Sequence, residues 1–125
     1  MTADPLKHEL LRHFVEDAAP QELSTLKLAA HLQLSLGELA QLAGLSSEAL
    51  QVGPREPQTQ ERLRDILRVL STAAEVFASE QIAARWLITE PIAAFHGQAA
   101  ISLIARGRAE GVIQYLQSIA SGFVG

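Results

Sequence analysis

The sequence predicts an all-α protein, and three observations carry that prediction. Apolar residues recur at three- and four-residue steps in one stretch after another, the period of a helix face. Prolines, glycines and capping residues fall between those stretches, where helices would have to stop and start. Hydrophobic residues make up 48% of the chain but aromatic ones only 5%, so Ala and Leu must fill the core. That composition favours helix packing over sheet.

Taken in order, residues 5–18 predict a first helix, with Pro5 at its start and Leu6, Leu10, Leu11, Phe14 and Val15 on one face. Pro20 separates it from a helix over 23–32. Ser35 then has the form of an N-cap, with Glu38 three residues on to complete a capping box. Leu39-Ala40, Leu42-Ala43, Gly44-Leu45-Ser46 and a short helix over 47–52 come next, the pattern of a helix-turn-helix. The small Ala40 lets two helices approach closely, and Gly44 takes the turn. In a DNA reader the second helix would offer Ser46, Ser47 and Gln51 to base edges, with Arg55 toward phosphate. Glu48 opposes phosphate contact, and four arginines (Arg55, Arg62, Arg64, Arg68) are offset by Glu56, Glu61 and Asp65. The positive stripe of a strong DNA binder is missing.

Gly53-Pro54-Arg55-Glu56-Pro57 is the clearest break and divides the chain into expected regions 1–56 and 57–125. Residues 58–78 predict the longest helix, with Leu63, Ile66, Leu67, Leu70, Ala74 and Phe77 as a core stripe. Its remaining apolar residues, Val69, Ala73 and Val76, offer a face to a second copy and make a homodimer an expectation. Ser79 caps a helix to about residue 88, carrying Ile82 and the single tryptophan, Trp86, as a core anchor. Glu90-Pro91 ends it, Phe95 reads as core and Gly97 as a turn. A helix over 99–105 and a final helix after Gly107 complete the chain. In the final helix Val112, Ile113, Leu116, Ile119 and Ala120 share one face, and Gly122 ends it.

The totals bound the function. A chain of 125 residues buries one core, or two small helical units sharing one. Without cysteine there is no disulfide framework and no thiolate chemistry. No apolar run reaches the roughly 18 residues that span a bilayer. The N-terminus carries charge where a signal peptide needs an apolar core. A cytoplasmic protein without membrane contact is the expectation. The net charge of −4 lowers the prospect of a lone monomeric DNA binder without excluding one. No nucleophile elbow, phosphate loop, H-E-x-x-H or dinucleotide glycine fingerprint is present. His8 and His13 sit five apart, off the four-residue step that pairs ligands on a helix. No catalytic residue, metal site or cofactor is therefore expected, and the chain reads as a non-enzyme.

The last third carries a specific signal. Trp86-Leu87, Pro91, Phe95-x-Gly97, Leu103-Ile104, Gly107-Arg108-Ala109, Val112, Tyr115-Leu116 and Gly122 occur in an order that resembles the C-terminal domain of the Xre/MbcA/ParS antitoxins. The helix-turn-helix pattern is similar to the Xre-type N-terminal half of the same family. One departure stands out: where the family often has Thr, this chain has Ala99, and a missing cap there is worth roughly 1 kcal/mol.

The resemblance implies an Xre-like helix-turn-helix bundle followed by a small helical toxin-binding domain. It implies an antitoxin that covers the active site of a RES-domain, NAD-consuming toxin and also represses its own operon. The expected assembly is a homodimer or a toxin–antitoxin hetero-oligomer, with operator DNA as a further partner. Arg106 and Arg108, the only arginines or lysines after Arg85, flank Gly107 near a helix N-terminus, where the macrodipole has no use for positive charge. Contact with a partner is one reason for arginines there. With them, Tyr115, Ser118, Ser121, Gly122 and the apolar tail Phe123-Val124-Gly125 form the expected toxin-binding set. The competing reading is a helix-turn-helix regulator that acts through DNA binding alone.

Overall fold

Pro57 at the first turn, with apolar residues further along on every side of the cylinder, produces the helix around which the others pack. The computed structural model describes residues 14–15, 23–46 and 56–122. Among them lie α1 (Thr25–Leu32), α2 (Leu36–Ala43), α3 (Pro57–Phe77), α4 (Glu80–Thr89), α5 (Ala100–Ala105) and α6 (Ala109–Ala120). A 3₁₀ turn, Ala93–Phe95, joins α4 to α5. Strand-like pairing among the described residues is limited to two isolated antiparallel bridges, Val15 with Leu23 and Ile92 with Gln98. The fold is all-α.

From Ile66 to Ala73 every residue of α3 except Arg68 is buried. A helix buried on all sides must be surrounded, and α4, α5 and α6 all pack against α3. α2 lies against α5, while α1 contacts both α2 and α4. One apolar cluster runs from Phe14 and Leu23 through α3 to Leu116, so both sides of the 53–57 break contribute to a single core. Val69 and Ala73 are 0% exposed within one chain. They are therefore unavailable as the dimer face that the sequence offered, because α3 turns that side to its own neighbours.

The helix ends obey local chemistry. Ser24 Oγ accepts from the Lys27 N–H and starts α1. Ser35 Oγ accepts from the Glu38 N–H at 3.1 Å while Glu38 Oε1 accepts from the Ser35 N–H at 2.9 Å, the capping box the sequence foretold. Ser79 Oγ accepts from the Ile82 N–H to start α4. α5 begins at Ala99, in extended backbone, with no side-chain cap.

Three expectations need correction. The first helix does not extend over Phe14 and Val15: these occupy a turn and the bridge to Leu23, while residues 5–13 and 16–18 lie outside the described residues. Local hydrogen bonds replace helical ones there. The Ser24 N–H donates to Phe14 O at 2.7 Å, and Lys27 Nζ donates to Val15 O at 2.9 Å. Leu23 likewise precedes α1 rather than starting it. The Gln60 side chain pairs with its backbone, accepting from the Leu23 N–H at 2.8 Å and donating to Leu23 O at 3.1 Å. On α4, finally, Ile82 is 50% exposed, and the buried face is Ala83 and Leu87, one residue further on. Trp86 is half-buried, its ring 5.5 Å from that of Phe77, so it closes the edge of the core rather than anchoring its centre.

Arg68 clasps α3 to α6. Its Nη2 donates to Glu110 Oε2 at 2.8 Å and its Nη1 reaches Asp65 Oδ1 at 3.5 Å. Burial pushes the Asp65 carboxyl above its ordinary range, with the Arg68 charge opposing the shift. A folded-state value above the unfolded one means the native state holds its proton longer, so this group lowers stability as pH rises through that window. Replacing Asp65 with Asn should remove that loss, so the variant should gain stability relative to the native chain as pH rises through the window, read from denaturation midpoints at a series of pH values. Ala99→Thr, which supplies the missing oxygen in already extended backbone, should stabilise the fold by about 0.5–1 kcal/mol in chemical denaturation.

Candidate functional site

α6 begins at Arg108, which occupies the N-cap position without a side-chain cap. The turn before it is closed by Gly107 at φ +78°, whose N–H donates to Ile104 O, while the Arg108 N–H donates to Leu103 O. Glycine takes this left-handed turn without the steric cost of a Cβ, and it stops α5 where the sequence placed the stop. It throws Arg108 back across the 3₁₀ turn, where its guanidinium carbon lies 5.4 Å from the centre of the Phe95 ring. Phe95 in turn meets Tyr115 edge-to-face at 6.0 Å. Between these contacts lies Gly111, where a Cβ would stand 3.7 Å from the Phe95 ring carbons Cε1 and Cζ. The ring thus rests against the backbone of α6.

Residues 108, 111, 115, 118 and 122 recur at three- and four-residue steps and so share one side of α6. Arg108 and Gly122 are exposed, while Phe95, Gly111, Tyr115 and Ser118 are half-buried. Ser118 Oγ donates to Tyr115 O at 2.7 Å and Ser121 Oγ donates to Ser118 O at 3.1 Å, so both hydroxyls keep only acceptor capacity for a partner. Gly122 is left-handed at φ +79° and ends the helix.

The structure therefore brings Arg108, Tyr115, Ser118, Ser121 and Gly122 together along one ridge. Arg106, the C-cap of α5, is exposed on the turn beside it and forms no ion pair with another described residue. Phe123, Val124 and Gly125 lie outside the described residues. Phe95 is the residue the sequence misplaced: expected in the core, it is half-buried and carries the ridge's central ring. The pairing that could have revealed it is an aromatic residue close in sequence to an arginine with no helix-dipole reason to be there. The cation–π contact now supplies one reason for a cation at that helix start, worth about 0.5–1 kcal/mol at an exposed site.

The helix-turn-helix positions are less fully described. α1 and α2 pack together, and α2 ends in Gly44 at φ +70°, as the turn requires. A Cβ there would stand 3.3 Å from Ala105 Cβ and 3.4 Å from Arg62 Nη1, so glycine serves close approach as well as conformation. Ser46 is exposed, while Ser47, Gln51 and Arg55 lie outside the described residues. Arg62 and Arg68, counted in the sequence with the local positive charge, are both engaged within the fold.

A polar-rimmed cleft of about 700 Å³ lies between the end of α1 and α4, lined by His31, Leu34, Glu80, Ala84, Arg85 and Ile88 among others. Among the described residues no three His, Cys, Asp or Glu side chains are grouped to hold a metal ion. No helix among them is long and apolar enough to cross a membrane.

Residues 72–122 match the family described as the antitoxin Xre/MbcA/ParS C-terminal toxin-binding domain. This part of the chain is similar to that antitoxin domain. The match begins inside α3, upstream of Trp86 where the resemblance was first legible, and takes in the whole Arg108–Phe95–Tyr115 ridge. It ends at Gly122, before the apolar tail. No curated protein and no solved structure matches the chain. The family description is that of a domain that binds a toxin, so a toxin is the partner it implies.

Gly111→Ala tests the ridge's construction. A methyl meets the Phe95 ring at ordinary contact distance, so the helix should gain about 0.5–1 kcal/mol, read as a raised denaturation midpoint. Gly111→Leu should displace the ring and lose stability instead.

Proposed function

We propose that this chain is the antitoxin of a type II toxin–antitoxin pair and that its C-terminal domain covers the active site of a RES-domain, NAD-consuming toxin. The observation that carries this reading is the ridge on α6 within the matched segment: a guanidinium stacked on an aromatic ring, with a second ring and a left-handed glycine in line. A cleft shaped for NAD binds a pyrophosphate and an aromatic base. Phe95 and Tyr115 offer apolar rings to the part of such a cleft that takes the base, and Arg106 and Arg108 offer charge to carboxylates at its rim. Arg is the residue suited to both jobs, since its planar cation hydrogen-bonds in a fork and stacks on rings. The tail Phe123-Val124-Gly125, directly after Gly122, is the segment we assign to the cleft itself.

We assign autorepression of the operon to the N-terminal region 1–56, through Ser46, Ser47, Gln51 and Arg55, and the toxin-binding domain to 57–125. α2, with its capping box and left-handed Gly44, supports the first helix and the turn of a helix-turn-helix in that region. The same observation supports the competing reading, a regulator that works through DNA alone. A homodimer or toxin–antitoxin hetero-oligomer in the cytoplasm is the form we expect.

The deciding experiment is co-purification with the product of the adjacent gene, then an NAD-consumption assay on that product with and without this protein. A stable complex with NAD turnover suppressed supports the antitoxin. No complex, together with salt-dependent binding to its own promoter, leaves the regulator. Within the antitoxin reading, Arg108→Glu or removal of Phe123 to Gly125 should weaken the complex at least about 100-fold, the scale of losing a hot-spot contact, while promoter binding persists. Unchanged inhibition by both variants would sink the assignment of this ridge.

A further inference from the structure

Two helices from opposite ends of the chain finish at the same guanidinium. Arg62 Nη1, on α3, donates to Ala43 O at 2.9 Å and to Ala105 O at 2.6 Å. Ala43 is the last residue of α2 and Ala105 the last of α5. Carbonyls at helix C-termini lack intrahelical donors and carry the negative end of the macrodipole, so one cation serves two such ends. The two termini also lie close together, since a Cβ at position 44 would stand only 3.3 Å from Ala105 Cβ and 3.4 Å from Arg62 Nη1.

The turns that leave these two termini make the junction more than a structural clasp. Beyond Ala43 comes Gly44–Ser46, held by the Leu45 N–H donating to Ala40 O at 2.8 Å. Beyond Ala105 comes Arg106–Arg108, held by the Gly107 and Arg108 N–H groups donating to Ile104 O and Leu103 O. We propose that Arg62 couples these two turns, so that loosening or ordering one changes the local stability of the other. Both turns draw on one donor at one position. Displacing the carbonyl of Ala105 draws Nη1 off the position it shares with Ala43 and loosens that bond too, and lifting α2 at Gly44 withdraws a packing wall from Ala105. The coupling is a property of the chain alone. Its consequence for ligands rests on the function proposed above: a protein bound at Arg106–Arg108 and a nucleic acid bound beyond Ser46 would each alter the other's affinity, by the same factor in both directions.

The test uses the full chain without either ligand, so its outcome is independent of whether the toxin or DNA reading holds. Amide hydrogen exchange is measured in the native protein, in Gly107→Ala, in Arg62→Met and in the double variant. Gly107→Ala strains the turn at φ +78° with nothing within 4 Å to collide with, so it disturbs α5–α6 without touching Arg62. The Gly44 and Leu45 amides, on another helix, should then exchange faster by about tenfold, the scale of losing a hydrogen bond to a charged group. Amides in the middle of α4 should keep their native rates. In the Arg62→Met background the same Gly107→Ala change should leave Gly44 and Leu45 unmoved. Acceleration confined to Arg106–Arg108, or an equal response at Gly44 with and without Arg62, overturns the proposal. Should Arg62→Met unfold, Arg62→Gln, which keeps a polar side chain but is shorter and uncharged, takes its place under the same criteria.

Discussion

Between Ile66 and Ala73, α3 completes two turns with only Arg68 reaching the surface, and that constraint shapes the rest of the molecule. Each fully buried Leu, Ile or Val contributes about 1.5–3 kcal/mol, but only if something covers it. One partner helix covers a stripe; a helix apolar on all sides needs several. α4, α5 and α6 supply those sides, and none of the three is long enough to be stable alone. The dependence is therefore mutual. It also means the segment 72–122 does not contain its own core, because it begins in the last turns of the helix whose earlier residues Leu63, Ile66 and Leu67 complete it. The antitoxin domain and the region before it are folded by the same apolar cluster.

Most charged side chains among the described residues are exposed, but two arginines turn inward. Arg62 and Arg68 sit on α3 less than two helical turns apart, and both turn their guanidinium groups to other elements of the chain. Arg62 satisfies backbone carbonyls, while Arg68 meets carboxylates on its own helix and on α6. Glu110 gains from both directions, being an acid in the first turn of α6 and a partner to Arg68. The outward-facing arginines at the α5–α6 turn differ in kind: Arg108 stacks on a ring and Arg106 has no ionic partner among the described residues.

The helices were legible in the sequence wherever period and punctuation agreed. Ser35 with Glu38, Ser79, Pro57, Gly107 and Gly122 each marked a boundary that the structure keeps, because capping and left-handed turns depend on neighbours a few residues away. Relations across the chain were not legible. Phe14 and Val15 fit a helical stripe, yet they pair with Leu23 and Ser24. Val69 and Ala73 read as spare apolar surface because nothing local says how many helices will surround α3. Arg62 was indistinguishable from its neighbours until Ala43 and Ala105 were brought to it. The ridge was half legible: Arg108, Tyr115, Ser118 and Gly122 share a helical period, whereas Phe95 arrives from a separate turn and read as core for lack of that geometry. Residues 47–52, on which base reading would depend, lie outside the described residues.

Gly111 does more than let Phe95 lie close. With the ring against the helix backbone, Arg108 over it and Tyr115 beside it, these three side chains are each held by a contact already present in the free protein. Ordering a long, mobile side chain at an interface otherwise costs about 0.5–1.5 kcal/mol each time a complex forms. A surface that has met that cost during folding gives up little more on contact, and the difference appears chiefly as slow departure rather than fast arrival. On the function proposed above, the small residue on α6 lengthens the life of a complex at this face.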